Sequence, residues 1–200
     1  QAEPLIARLA AEGEGMTFGI TILLLAMQNP IIVAENAASL DWITDGNYVL
    51  GVGLGYRPEE FEALGVEFEQ RVSRFEEAIP LIRRLWNEDS VTHHGKHFKV
   101  GGLGASIKPK RAGGPPIWVG GDVIAAVKRA AKLNCPWIAP PTMTFQEITE
   151  RVEVYKKTSA EISGRSVNEQ PIIREVAIGK TKAEALRAAR PALLSKYESC

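Results

Sequence analysis

The residues with the most suggestive spacing are glycines. In "VLGVGLGY", Gly51, Gly53 and Gly55 alternate at the end of an apolar run, and Leu54, Tyr56, Arg57 and an acidic cluster lie among or just after them. Glycine weakens a strand, so its repeated use there marks a place where something approaches the backbone closely. A flat ligand lying over the strand end would need that space, and so would a neighbouring segment of the fold. The second place is "WVGGDVIAA", where Gly120 and Gly121 lead into a helix start at Asp122 and Val123. Free N–H groups and the positive end of a helix dipole make a natural phosphate site. The competing reading is a tight turn in which Asp122 satisfies those N–H groups itself. "GVGLGY" is not a dinucleotide fingerprint, because its spacing is Gly-x-Gly-x-Gly and Arg57-Pro58 separates it from any helix.

Other reactive side chains are poorly placed. His93, His94 and His97 fall in a glycine-rich stretch without nearby cysteine or carboxylate spacing suited to a metal. Cys135, followed by Pro136 in an apolar run, reads as a buried thiol, not a nucleophile. No Ser-His-Asp or Cys-His arrangement stands out, and no catalytic residue is assigned. That pattern points to a cofactor that carries the reaction while the protein positions it.

The elements that must position these residues alternate. A helix tail over residues 4–12 precedes a strand in "MTFGITILLLA", apolar on both faces as in a buried parallel sheet. Asn29-Pro30 starts a helix that stops at Asp45-Gly46, and "YVLGVG" is the next strand. Phe68, Val72, Phe75, Ile79, Ile82 and Leu85 form one apolar stripe of a helix over 68–87, with Pro80 expected to kink it. Residues 93–115 break the rhythm and read as a glycine-rich excursion or lid loop. "PIWVGG" is a third strand, with Asp122 expected to cap the following helix, and "CPWIAP" is a fourth. Capping boxes at Thr144/Glu147 and Thr181/Glu184 open helices on either side of a fifth strand, "PIIREVAIG". The pattern predicts an α/β fold, either doubly wound or a (β/α)8 barrel, with ligands at the carboxyl ends of the strands.

Composition narrows the partners. Lys plus Arg and Asp plus Glu each total 24, so no net charge draws the chain to nucleic acid or anionic lipid. Its apolar runs fall short of a membrane span. Two cysteines, Cys135 and Cys200, are too few for a disulfide framework, which points to a reducing, cytoplasmic setting.

The long stretch "LDWITDGNYVLGVGLGYRPEEFEALGVEFEQRVSRFEEAIPLIRRLW", with "HHGKHFKV", "PPIWVGG" and "CPWIAPP" after it, closely resembles the bacterial luciferase-like monooxygenase family. The resemblance runs nearly end to end and implies one partial TIM-barrel domain over residues 1–200. It implies an enzyme using FMN or coenzyme F420 on a small organic substrate, by hydride transfer or oxygen activation. Gly53, Leu54, Gly55 and Tyr56 would lie beside the cofactor ring, and Gly120, Gly121, Asp122 and Val123 would hold its phosphate. Many relatives have a hydroxyl where Val123 stands, which leaves more of the binding to backbone donors. An acid replaces Tyr56 in the family's sugar-phosphate dehydrogenases, so that activity is not expected. In the third barrel strand the deazaflavin branch often has a non-prolyl cis peptide, and Thr21-Ile22 is the matching bond. Family members are typically longer. The resemblance makes these strands three to seven of a barrel whose first two and last strands are missing here. An unclosed arc has open edges, which implies a homodimer or higher self-association. A flavin-binding protein without turnover, or a self-associating barrel fragment, are the alternatives.

Overall fold

The computed structural model describes residues 2–163 and 170–198; Cys200 and part of the stretch between the last two helices lie outside them. Helix α1 (Glu3–Ala10) leads to strand β1 (Phe18–Leu24), and a 3-10 turn over Leu25–Met27 connects it to α2 (Pro30–Ile43). The start of α2 follows the expected chemistry: the Ile31 N–H donates to Asn29 Oδ1 at 2.9 Å, and Pro30 occupies the first turn. Asp45 and Gly46, both with positive φ, turn the chain out of α2 into β2 (Tyr48–Gly53). A short helix, α3 (Pro58–Ala63), follows. Pro58, read in the sequence as keeping any helix away from the glycines, is instead the first residue of α3, where its fixed φ pre-sets the first turn.

Helix α4 (Arg71–Asn87) begins later than the expected residue 68, and Phe68 lies in a 3-10 turn before it. Phe68 and Val72 are only half-buried. The rest of the stripe, Phe75, Ile79, Ile82 and Leu85, is buried together with Leu81 and Trp86. Pro80 lies within this helix. The Trp86 indole N–H donates to the Ala34 carbonyl at 2.9 Å and ties α4 to α2. The excursion then proves to be partly regular. Strands β3 (Val91–His94) and β4 (Lys99–Leu103) form an antiparallel hairpin, and only residues 104–116 are irregular. Those residues run along the end of α2, where Trp42 donates to the Lys108 carbonyl at 2.8 Å and the Arg111 N–H donates to Asp41 Oδ2 at 2.7 Å.

Strand β5 (Ile117–Gly120), helix α5 (Ile124–Lys132), strand β6 (Trp137–Ile138) and helix α6 (Phe145–Ser163) complete the alternation before α7 (Lys182–Glu198). The capping box at the start of α6 forms, with both the N–H and the hydroxyl of Thr144 donating to Glu147 Oε2 at 2.8 Å. At α7 the Glu184 N–H donates to Thr181 Oγ1 at 3.2 Å.

The main sheet is parallel in the order β1-β2-β5-β6. Leu50, Val52, Val119 and Trp137 join the core beneath the helices. By strand alternation Gly51, Gly53, Trp118 and Gly120 therefore face the other way. The expected fifth strand shrinks to one parallel bridge between Ala139 and Ile172. Beyond it Val176 and Ile178 are 82% and 91% exposed. Their apolar pattern reads as a strand, but among the described residues no neighbour on the far side covers them.

Candidate functional site

The carboxyl ends of β1, β2 and β5 meet at one side chain. Ile22 Cδ1 lies 2.7 Å from where a Cβ on Gly53 would stand and 2.9 Å from where one on Gly120 would stand. The Thr21–Ile22 peptide bond is cis, as the resemblance implies, and the β1–β2 register shifts between Ile20 and Leu23. Gly51 has a related but different use. A Cβ there would come within 2.4 Å of the Ile20 carbonyl oxygen, so this glycine makes room for the backbone of β1. Gly55 has φ +83° and packs its bare Cα against Phe61 and Met27, with Leu54 half-buried beside it. Tyr56 is 75% exposed, and the Arg57 guanidinium sits 5.4 Å from its ring centroid. The glycines thus serve close packing first, and what they leave at the surface is Ile22 lying across Gly53 and Gly120.

A groove of about 720 Å³ opens beside this point. It follows β1 between α1 and the Glu60–Leu64 end of α3 and reaches the site through Thr21 and Ile22. It does not extend over Gly120–Val123.

The Gly120–Val123 turn is held from outside. Gly121 has φ +151°, and a Cβ there would stand 2.5 Å from the Ala126 Cβ, so only glycine fits. Asp122 does not cap α5. The capping residue is Val123, whose side chain accepts nothing, and Asp122 is exposed. The tight-turn reading in which Asp122 satisfies the helix N–H groups therefore fails. A donor-rich, uncapped helix start beside a glycine suits an anion such as a phosphate. Two side chains absent from the sequence-based site bind this turn. The Trp137 indole N–H donates to the Gly121 carbonyl at 2.7 Å, and Arg151 Nε donates to the Asp122 carbonyl at 2.8 Å. Trp137 reads as core in "CPWIAP", and Arg151 lies far along the next helix, so no local signal marks either.

The histidines serve the hairpin. Glu77 of α4 accepts hydrogen bonds from His93 Nε2 at 2.9 Å, the His97 N–H at 3.0 Å and the Phe98 N–H at 2.9 Å. His97 Nε2 meets Ser73 Oγ at 2.7 Å, and Arg74 lies 4.9 Å from the Phe98 ring centroid. Among the described residues no group of three or more His, Cys, Asp or Glu is placed to hold a metal. Cys135 is buried, and burial pushes its thiol up to about 11 against the pull of Arg83.

The clamp on the hairpin responds to pH. Burial works against the Glu77 carboxylate, but the bonds from His93, His97 and Phe98 outweigh it and hold its pKa below the usual value. Burial lowers His97, with Lys96 and Arg74 in the same direction and Glu77 opposing. In both cases the unfolded chain binds protons more readily than the folded one, so acid destabilises. The contribution is full above the ordinary histidine value of about 6.5. It declines first as unfolded His97 protonates below that value, and then as pH falls through the folded value of Glu77. Glu77→Gln should lower stability by about 2 kcal/mol near neutrality and remove the more acidic of the two steps. Urea unfolding across the acid range reads both effects.

A parallel α/β arc with glycines at its carboxyl strand ends fits either part of a (β/α)8 barrel or an open doubly wound sheet. The family model for luciferase-like monooxygenases matches residues 2–199, and the chain belongs to that family. A phthiodiolone/phenolphthiodiolone dimycocerosates ketoreductase from Mycobacterium kansasii is 30% identical over 152 residues, covering 75% of this chain and 41% of that protein. The chain thus spans less than half the length of that relative. Among solved structures, the oxygenating constituent of 3,6-diketocamphane monooxygenase from Pseudomonas putida, a type II Baeyer-Villiger enzyme in complex with FMN, superposes with a TM-score of 0.84. It is 21% identical, and the match covers 99% of this chain and 60% of that one. The coenzyme F420-dependent tetrahydromethanopterin reductase of Methanopyrus kandleri superposes with a TM-score of 0.81 at 19% identity, covering 98% and 60% of the two chains. These likenesses establish the partial TIM-barrel fold, and a ketoreductase, a monooxygenase and a reductase are all oxidoreductases. No helix among the described residues is long and apolar enough to cross a membrane.

Proposed function

We propose that this chain forms the cofactor-binding part of an oxidoreductase using FMN or coenzyme F420 on a small organic substrate. The observation that carries this reading is the meeting of the β1, β2 and β5 ends at Ile22, next to an uncapped helix start. The backbone at Gly120, Gly121, Asp122 and Val123 would hold the cofactor phosphate. Thr21, Ile22, Gly53, Leu54 and Gly55 would form the apolar floor for its ring, with Tyr56 and Arg57 at the rim. The bound cofactor supplies hydride transfer or oxygen activation. The protein's own part is to bind and orient it and to keep water from the reacting face.

Titration with FMN and with coenzyme F420, followed by quenching of cofactor fluorescence, tests this. Tight binding of one selects between them, and binding of neither refutes the proposal. A second reading, binding without turnover, is favoured by one observation: all three histidines of the chain lie in or beside the hairpin clamped to α4. Oxidation of the reduced cofactor only when a ketone or other acceptor is present would refute that reading. Self-association through the edge of β1 that no other described strand pairs belongs to the main proposal, and a monomer by light scattering would count against it.

A further inference from the structure

We infer that Trp137 and Arg151 are positioning residues that aim the backbone of the Gly121–Val123 turn at an anion; this rests on the phosphate reading above. In a planar trans peptide the carbonyl and the following N–H point in opposite directions. The Gly121 carbonyl is drawn to the Trp137 indole and the Asp122 carbonyl to the Arg151 guanidinium. Both groups only donate, so they fix the carbonyls and nothing else. The N–H groups of Asp122 and Val123 are thereby turned the other way. Trp137 belongs to β6 and Arg151 to α6, so both pull from one flank of α5. Strand β2, with Gly53, pairs on the opposite flank of β5.

The first turn of α5 adds its own donors. Val123 supplies no side-chain cap, and the first α5 N–H groups bonded to a carbonyl are those of Ala126 and Val127, both to Val123. The N–H groups at 122–125 thus form a row with no recorded protein acceptor among the described residues. Oriented amides of this kind bind a phosphate without reorganising, provided the peptide planes are held. Trp137 is fully buried, which makes its indole a rigid anchor. Arg151 is further tied by its contact with the Glu147 carbonyl at 3.4 Å and adds positive charge behind the turn.

The test compares ligands with and without the phosphate: FMN with riboflavin, and coenzyme F420 with its deazaflavin chromophore, which lacks the phosphate and the chain attached through it. The variants are Trp137→Phe, which keeps a buried ring and deletes the N–H, Arg151→Met, and Arg151→Lys as the conservative control. Dissociation constants come from fluorescence quenching of the full chain, with melting temperatures alongside. Trp137→Phe and Arg151→Met are each expected to weaken the phosphorylated ligand about tenfold. The phosphate-free ligand should move by less than about threefold, and Arg151→Lys should recover part of the loss, because an ammonium also donates. Equal weakening of both ligands would mean a merely structural role and overturn the inference, as would an unchanged preference for phosphate. Arg151→Met decides the matter if Trp137→Phe does not fold. A wild-type chain that binds both ligands of a pair equally, or neither, overturns the phosphate reading itself and the inference with it.

Discussion

Gly51→Ala should destabilise the protein by about 3 kcal/mol, and Gly53→Ala by only about 1 kcal/mol. The two positions are alike in sequence and differ in what a methyl group would strike. At Gly51 the obstacle is the Ile20 carbonyl oxygen, 2.4 Å away. That oxygen belongs to the backbone of the neighbouring strand, in the stretch where the β1–β2 register shifts. Moving it means moving the strand, which strains the ladder that pairs β1 with β2. At Gly53 the obstacle is Cδ1 of Ile22, the far end of a flexible side chain that is 39% exposed. A rotamer change can clear it at the modest cost of leaving a staggered minimum. Gly53→Ala should instead disturb ligand binding, because the displaced Ile22 side chain also covers Gly120. Urea unfolding of the two variants reads the stability difference. Equal losses would show that the β1 backbone yields as readily as an isoleucine side chain.

Gly121→Asp should weaken FMN binding by at least about 100-fold, or about 2.7 kcal/mol, while riboflavin binding falls far less. Two effects combine. A Cβ at this position, with φ +151°, would stand 2.5 Å from the Ala126 Cβ and push the turn away from the helix. The new carboxylate would also sit where donor N–H groups and the helix dipole favour a negative charge, and so would compete with the phosphate from within the chain. Gly121→Ala separates the two, since it carries the clash without the charge. If charge competition contributes, alanine keeps more of the FMN affinity than aspartate does. Isothermal titration with FMN and riboflavin against all three proteins measures this directly. An FMN affinity unchanged in Gly121→Asp would place the phosphate elsewhere.

Much of the scaffold is legible in local chemistry. The Asn29-Pro30 helix start, the Thr144/Glu147 box and the "YVLGVG" strand each depend on residues a few positions apart and form as the pattern requires, and so does the α4 stripe from Phe75 onward. Residues 171–179 show where such patterns mislead. Alternating apolar residues specify a strand only if a partner covers them, and here a single bridge at Ile172 results. The excursion misleads in the opposite sense. Its glycines and charges hide a hairpin that exists because Glu77, about one turn of helix beyond Ser73, offers a carboxylate to three donors at once.

For the site, the sequence by itself determined which strand ends carry glycine and that a phosphate-compatible helix start follows Gly121. Family resemblance added the cis bond at Thr21-Ile22, which is present. Only the tertiary structure decided what each glycine is for. Gly51 yields to a carbonyl, Gly53 and Gly120 share one isoleucine, and Gly121 turns beneath Ala126. It also decided that Asp122 faces away from capping, and that Trp137 and Arg151 hold the turn in its place. The physical reason is range. Backbone conformation and capping are set by neighbours along the chain, whereas the space beside a missing Cβ and the direction of a peptide plane are set by atoms that only folding brings near.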